Sequence, residues 1–260
     1  MKNYIMIGAP VTTVRTPPLL ADYLARAGIE ARIEIRHLEP DDLHGFMKTF
    51  MSDPGIDGLM VTMPHKKTIL PYMDRLSDAA RLAGSVNAVK RLTSGELAGA
   101  QFDGAGLVNA LLEKGAPLTT ARVLLAGAGG AGLAIAQALL AHGCRSLAIA
   151  ETNRDLLDRA LSLLRAQSPC PVAGANETGA EYDLLINATP LGMGADDPSP
   201  FGKRLVAHAA VIADIVADPP ETRLAALARA AGVVFVTGRD MVKGQVAPIG
   251  DWLMHDDAQH

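Results

Sequence analysis

The sequence predicts an α/β protein built as two successive strand–helix layers, and three observations predict it. Strand-like and helix-like segments alternate twice along the 260 residues, once before Phe102 and once after it. Inside the second series a glycine-rich turn, Gly127–Gly132, stands between an apolar strand and a helix. Aromatic residues make up only 4% of the chain, so Ala, Leu, Val and Gly carry the apolar content, which suits helices packed closely on a parallel sheet.

In the first series, Tyr4–Gly8 is a short apolar run ending in Gly. Pro17-Pro18 opens a helix whose Leu19, Leu20, Tyr23, Leu24 and Ala27 share a face, and Gly28 closes it. Ala31–Leu38 reads as a strand, Asp41–Met51 as a helix and Gly58–Thr62 as a buried strand. In the second series Asp103 caps a helix that runs to Lys114 and stops at Gly115-Ala116-Pro117. Strands follow at Val123–Ala126, Leu147–Ala150, Leu184–Ile186, Val211–Val216 and Val233–Val236. Helices are expected after the glycine turn, over Leu156–Leu164, over Glu221–Ala231, and in the tail from Arg239 to Trp252. The tail is expected to return to the first domain, giving domains 1–102 with 238–260, and 103–237.

A formal net charge of −4 and the lack of a basic stripe argue against a nucleic-acid partner. Cys144 and Cys170 make neither a metal-ligand cluster nor a disulfide scaffold. The histidines show no metal-binding spacing, so no metal is expected. Val123–Ala141 is nearly apolar, yet its first half reads as strand plus turn and Gln137 interrupts the second, so no membrane span is expected. The apolar run at the N-terminus is too short for a signal peptide, and a cytoplasmic setting is the expectation.

Gly127-Ala128-Gly129-Gly130-Ala131-Gly132 fits G-x-G-x-x-G. The first Gly permits the tight turn, the second lets a pyrophosphate approach the backbone, and the third lets helix and strand pack closely. The helix N-terminus then offers N–H groups and a favourable field for phosphates. Glu151 follows at the end of the next strand, where a carboxylate accepts hydrogen bonds from a ribose diol and repels a 2′-phosphate. NAD is therefore the expected cofactor, with NADP kept open by Arg154.

At this point the sequence resembles the shikimate dehydrogenase family over nearly its whole length. Val61-Thr62-Met63-Pro64-His65-Lys66 resembles the segment bearing the family's catalytic lysine, and Phe102-Asp103-Gly104-Ala105-Gly106 the one supplying its catalytic aspartate. Gly84-Ser85-Val86-Asn87-Ala88 resembles a substrate-contacting turn, and Asn187-Ala188-Thr189-Pro190-Leu191-Gly192-Met193 a loop of the cofactor domain. Gln245 in Lys243-Gly244-Gln245 resembles a substrate-contacting glutamine. The resemblance implies an N-terminal α/β substrate domain, a Rossmann-type dinucleotide-binding domain and a cleft between them. It implies Lys66 and Asp103 as the proton-relay pair and Thr16, Thr62, Asn87 and Gln245 as substrate contacts. It assigns the glycine turn, Glu151, Asn187, Thr189, Pro190, Met193 and Gly238 to the cofactor. The ligand it implies is a small hydroxylated ring acid, shikimate or a relative such as quinate, on a monomer or homodimer.

Oxidising a secondary alcohol needs a proton acceptor within hydrogen-bond reach of the hydroxyl. A carboxylate beside an amine favours the amine's charged form, so Lys66 and Asp103 are expected to share and relay the proton. Which is the formal base stays open. The sequence departs from the family where substrate specificity is set. The S-x-S pair appears as Val14-Arg15-Thr16, the Asn before V-T as Met60, the residue before the aspartate as Phe102, and the Tyr of D-x-x-Y-x-P as Ala217. Weak turnover of shikimate itself is therefore expected. A reductase of another small carbonyl compound and a non-catalytic sensor are the competing readings, and retention of both Lys66 and Asp103 argues against a sensor.

Overall fold

The computed structural model describes residues 1–11, 15–168, 170–175 and 181–255. The chain divides into two compact units, Met1–Phe102 with the segment from Gln245 onward, and Asp103–Gly244.

The first unit runs β1 (Lys2–Gly8), α1 (Thr16–Arg26), β2 (Ala31–His37), α2 (Leu43–Ser52), β3 (Gly58–Val61), α3 (His65–Thr68), β4 (Arg75–Leu76), α4 (Asp78–Ala83), β5 (Ala88–Arg91) and β6 (Leu97–Ala100). Its sheet has the order β2-β1-β3-β5-β6-β4. β1 pairs in parallel with β2 and β3, whereas β5 runs antiparallel to both β3 and β6. Alternation along β1 feeds two apolar layers. Ile5 and Ile7 join Phe46, Met47, Phe50, Leu59 and Val61 on one face. Tyr4 and Met6 join Leu20, Leu24, Met60, Ala88 and Ile249 on the other. Full burial of each such side chain contributes about 1.5–3 kcal/mol. α1 starts on Pro17-Pro18, and Gly28, at φ +79°, turns the chain out of it.

The second unit runs α5 (Asp103–Glu113), β7 (Arg122–Ala126), α6 (Gly130–Ala141), β8 (Ser146–Ala150), α7 (Arg154–Arg165), β9 (Val172–Gly174), β10 (Leu184–Asn187), α8 (Lys203–His208), β11 (Val211–Asp214), α9 (Arg223–Ala231) and β12 (Val234–Thr237). All strands of its sheet, ordered β12-β11-β10-β7-β8-β9, are parallel. From β7 the chain builds outward through β8 and β9, then crosses to β10 and builds the other way. The loops leaving β7 and β10 therefore flank the point where the winding reverses, and a crevice is expected there.

The last helix, α10 (Gly238–Met254), begins in the second unit and from Gln245 belongs to the first. In the first unit its end is held by Lys90 of β5. That buried ammonium donates to the carbonyls of Trp252 and His255 at 3.0 and 2.7 Å and lies 4.5 Å from the Trp252 ring centroid. A cation on the last carbonyls of a helix satisfies orphan acceptors and complements its dipole. No helix among the described residues is long and apolar enough to cross a membrane.

Lys90→Met keeps the stem and removes the donor. Charge-assisted hydrogen bonds are worth about 1.5–3 kcal/mol each, so the variant should melt several degrees below the wild type. Unfolding followed by circular dichroism checks this; an unchanged melting temperature would show that the helix end is held by packing alone.

Candidate active site

In the first unit three of the expected substrate residues, Thr62, Asn87 and Gln245, are tied to the C-terminal end of β3. A Cβ on Gly8 would lie 2.3 Å from Thr62 Cγ2, so the end of β1 is pressed flush against Thr62. Met63-Pro64 then turns the chain into α3. His65, 1% exposed, pins that turn by hydrogen bonding through Nε2 to the Leu38 carbonyl at 2.7 Å. Lys66 follows, half-buried, while Lys67 is exposed. The Lys66 carbonyl accepts the Val86 N–H at 2.7 Å, which fastens the lysine segment to the turn carrying Asn87.

Asn87 is the node of this cluster. Its backbone bridges β3 and β6, accepting from Val61 N–H and donating to Ala100 O, both at 2.9 Å. Its side-chain oxygen accepts Phe102 N–H at 2.9 Å, and its amide nitrogen donates to Gln245 Oε1 at 3.2 Å. Asn87 and Gln245 are both buried. Thr62, Lys66, Asn87 and Gln245 are thus drawn together by backbone ties and one amide pair. Thr16 is the half-buried first residue of α1, apart from those ties, with Arg15 exposed before it. Val14 lies outside the described residues.

One expectation fails here. Met60 does not wall a pocket: strand alternation sends it into the apolar layer with Met6, Leu24 and Ile249, and it is 2% exposed. Phe102 stacks edge-on against Trp252, with centroids 5.7 Å apart.

In the second unit Asp103 is the first residue of α5 and 1% exposed. The glycine turn separates its glycines by role. Gly127 sits at φ +97°, and a Cβ there would lie 2.7 Å from Ala188 O. A Cβ on Gly132 would lie 2.2 Å from Gly127 O, so strand and helix touch through backbone. Gly129 is different. It caps α6 at φ −71°, open to any residue, and a Cβ there meets nothing within 4 Å. The fold does not require glycine at 129, and Ser or Asp would cap better. What glycine leaves is clear backbone before the first-turn N–H groups of Gly130, Ala131 and Gly132, which fits a pyrophosphate.

Glu151, half-buried at the end of β8, accepts Ala128 N–H at 2.9 Å and Asn153 N–H at 3.0 Å. Burial works to raise its pKa, but the N–H groups of Asn153, Ala128 and Thr152 outweigh it and hold the carboxyl below the usual carboxylate range. The carboxylate braces the turn between β7 and α6 through Ala128.

Asn187 holds the loop that follows β10. It is fully buried, and its amide donates to Leu191 O at 2.9 Å and Asp214 Oδ1 at 3.0 Å. Its oxygen accepts the N–H and O–H of Thr189 at 3.0 and 2.6 Å. With donors and acceptor engaged inside the protein, the Asn187 side chain shapes the loop. Thr189 is half-buried in the same network, accepting Leu191 N–H at 3.2 Å. Pro190 and Met193 are exposed on that loop. Gly238 has a packing reason to be glycine, since a Cβ would lie 2.5 Å from Ile215 O. Ala217 is exposed.

Sequence reasoning missed the ordering roles of His65 and Lys90 in the first unit and of Asp214 and Thr222 in the second. Among the described residues no cluster of His, Cys, Asp or Glu suits a metal ion.

A family model described as the shikimate dehydrogenase substrate binding domain matches residues 6–89. The shikimate dehydrogenase (NADP(+)) of Rubrobacter xylanophilus is 34% identical over 242 residues, covering 91% of this chain and 85% of its own. That of Acidiphilium cryptum is 35% identical over 245 residues, 94% and 87% of the two chains. Among solved structures, an Ael1 enzyme from Pseudomonas putida aligns with a TM-score of 0.86 at 26% identity, over 97% of this chain and 93% of that one. Shikimate 5-dehydrogenase from Thermus thermophilus, in complex with NADP(H) and shikimate, gives 0.83 at 29% identity with the same coverage. Quinate dehydrogenase from Corynebacterium glutamicum, in complex with NAD, gives 0.82 at 26%, again over 97% and 93%.

The differing surroundings of the two glycines predict opposite phenotypes. Gly132→Ala drives a methyl into the Gly127 carbonyl and should lower stability by about 1–3 kcal/mol. Gly129→Ala should leave the melting temperature unchanged while weakening reduced-dinucleotide binding about tenfold. Thermal unfolding and fluorescence titration together separate them; a Gly129→Ala protein that binds as tightly as wild type would remove the pyrophosphate from this turn.

Proposed function

Because the chain belongs to the shikimate dehydrogenase family, we propose that it interconverts a ring alcohol and its ketone on shikimate or a closely related hydroaromatic acid such as quinate, with a nicotinamide dinucleotide as redox partner. The reading rests above all on the cluster at the end of β3, where Thr62, Lys66, Asn87 and Gln245 are fastened together. Two buried amides beside a half-buried lysine and a threonine hydroxyl suit a ligand rich in hydroxyls, because each amide both donates and accepts. The activities named for the relatives support the substrate class.

A bound nicotinamide supplies the hydride acceptor. The chain's own residues handle the proton: Lys66 and Asp103 take it from the substrate hydroxyl and relay it onward. Asn87 and Gln245 orient the ring through its other hydroxyls, and Thr62 adds a hydroxyl at the strand end. The clear backbone at Gly129 and the first turn of α6 hold the pyrophosphate. Lys66→Ala and Asp103→Ala should each lower kcat by roughly a hundredfold or more. The double variant should be little worse than the poorer single, because members of one unit are not additive. Near-wild-type turnover by Lys66→Ala on the preferred acid, followed by cofactor absorbance, would overturn the assignment.

For the cofactor, we propose a preference for NAD. Glu151 remains charged and accepts hydrogen bonds, which favours a ribose diol over a 2′-phosphate. This departs from the NADP(+) in the relatives' names and agrees with the NAD bound to the quinate dehydrogenase. Glu151→Ala should narrow the preference. Because the carboxylate also braces Ala128, the variant should raise KM for both dinucleotides, more for NAD. Steady-state kcat/KM with each cofactor decides it; a wild-type preference for NADP would pass the role to Arg154.

A further inference from the structure

In the second unit a buried carboxylate governs a loop. Asp214 ends β11 and is 2% exposed. It accepts Thr222 O–H at 2.7 Å, Asn187 Nδ2 at 3.0 Å and Val216 N–H at 3.1 Å. Among the described residues all three hydrogen-bond partners are uncharged. Burial pushes its carboxyl up, and the bonds from Thr222, Val216 and Asn187 offset this only in part. A buried carboxylate without a cation is costly. An asparagine has the same shape, so packing alone does not explain the acid.

The acid does something an amide does not. A carboxylate accepts only, so Asn187 must turn its nitrogen toward Asp214 and its oxygen toward Thr189. That orientation lets Thr189 donate both N–H and O–H to Asn187, and it leaves Thr189 Oγ1 to accept Leu191 N–H. Thr222, fixed by Asp214, caps α9 by accepting Ala225 N–H and presses on Gly192, whose φ of +106° closes the loop. One carboxyl group thus propagates an orientation through Asn187 to the whole of Ala188–Leu191. The loop begins against Gly127, at the winding reversal, on the side of β7 opposite β8 and Glu151.

We propose that Asp214 is the positioning residue of this loop, fixing through Asn187 the wall that faces the nicotinamide end of the dinucleotide. The proposal rests on the reading of the second unit as a dinucleotide-binding domain. Asp214→Asn lets the Asn187 amide take either orientation, and Thr189→Val removes the far end of the relay without touching the carboxylate.

Fluorescence titration of the full chain with NADH and NADPH, thermal unfolding, and steady-state kinetics test it. Asp214→Asn should melt at or above the wild-type temperature, since a buried charge is lost, while its dinucleotide Kd rises about tenfold. Thr189→Val should raise Kd in the same direction, and the double variant should be no worse than the poorer single. KM for the acid substrate should stay within about twofold in both. Wild-type Kd values in both variants, or an Asp214→Asn protein that melts earlier with Kd unchanged, would overturn the proposal and leave Asp214 a packing residue. Should Asp214→Asn not fold, Thr189→Val decides alone, and its retaining the wild-type Kd would overturn the proposal. A wild type that binds neither dinucleotide overturns the domain reading, and this proposal with it.

Discussion

Between the Gly127 carbonyl and the first turn of α6 there is room for a hydrogen atom and nothing larger. That contact brings the end of β7 against the helix, and the same Gly127 lies against the Ala188 backbone, where the chain leaves β10. The adjacent ends of β7 and α6 and the sequence-distant start of the loop after β10 are therefore held to one another through main chain rather than side chain. Such contacts have little freedom to adjust, because interiors are close-packed and backbone does not change rotamer. The crevice at the winding reversal inherits its shape from them, and the neighbouring polar groups are arranged around a frame already set.

The first unit reaches similar order by other means. Its site lies where short strands change direction, with Gly8 pressed against Thr62 at the end of β1. Hydrogen bonds do the joining: Asn87 ties β3, β6 and the entry to α5 to the terminal helix, while His65 secures the turn before Lys66. Both polar side chains are buried with their partners supplied, the condition under which buried polar groups order a structure rather than weaken it.

What the sequence revealed and withheld follows physical lines. The parallel strands of the second unit are continuous apolar runs with glycine or acidic punctuation, so β7, β8, β10, β11 and β12 were readable to within a residue or two. The antiparallel pair β5 and β6 was not, because Ala88–Arg91 and Leu97–Ala100 are only four residues each and lack clear alternation. β9 and α8 escaped for the same reason of length. In the site, Lys66, Asn87 and Gln245 stood out through their motif segments, whereas the D-x-x-Y-x-P stretch drew attention to Ala217 and not to its Asp214. Its importance comes from Asn187 and Thr222, which reach it from separate parts of the chain. Met60 was misjudged because a linear motif does not say which way a strand residue points.

Glu151 joins two properties that an enzyme engineer would want to vary separately. The carboxylate we propose to select among dinucleotides is also the acceptor for Ala128 N–H and Asn153 N–H. Any exchange that invites a phosphate by deleting the acid also orphans two backbone donors at the rim of the crevice. Switching this chain's cofactor is therefore a coupled redesign: the new residue must welcome the phosphate, and some other oxygen must take up the abandoned N–H groups. Single substitutions at position 151 explore only the first half of that problem, so evolutionary routes between the two specificities should pass through paired changes in the β7–α6 and β8–α7 turns.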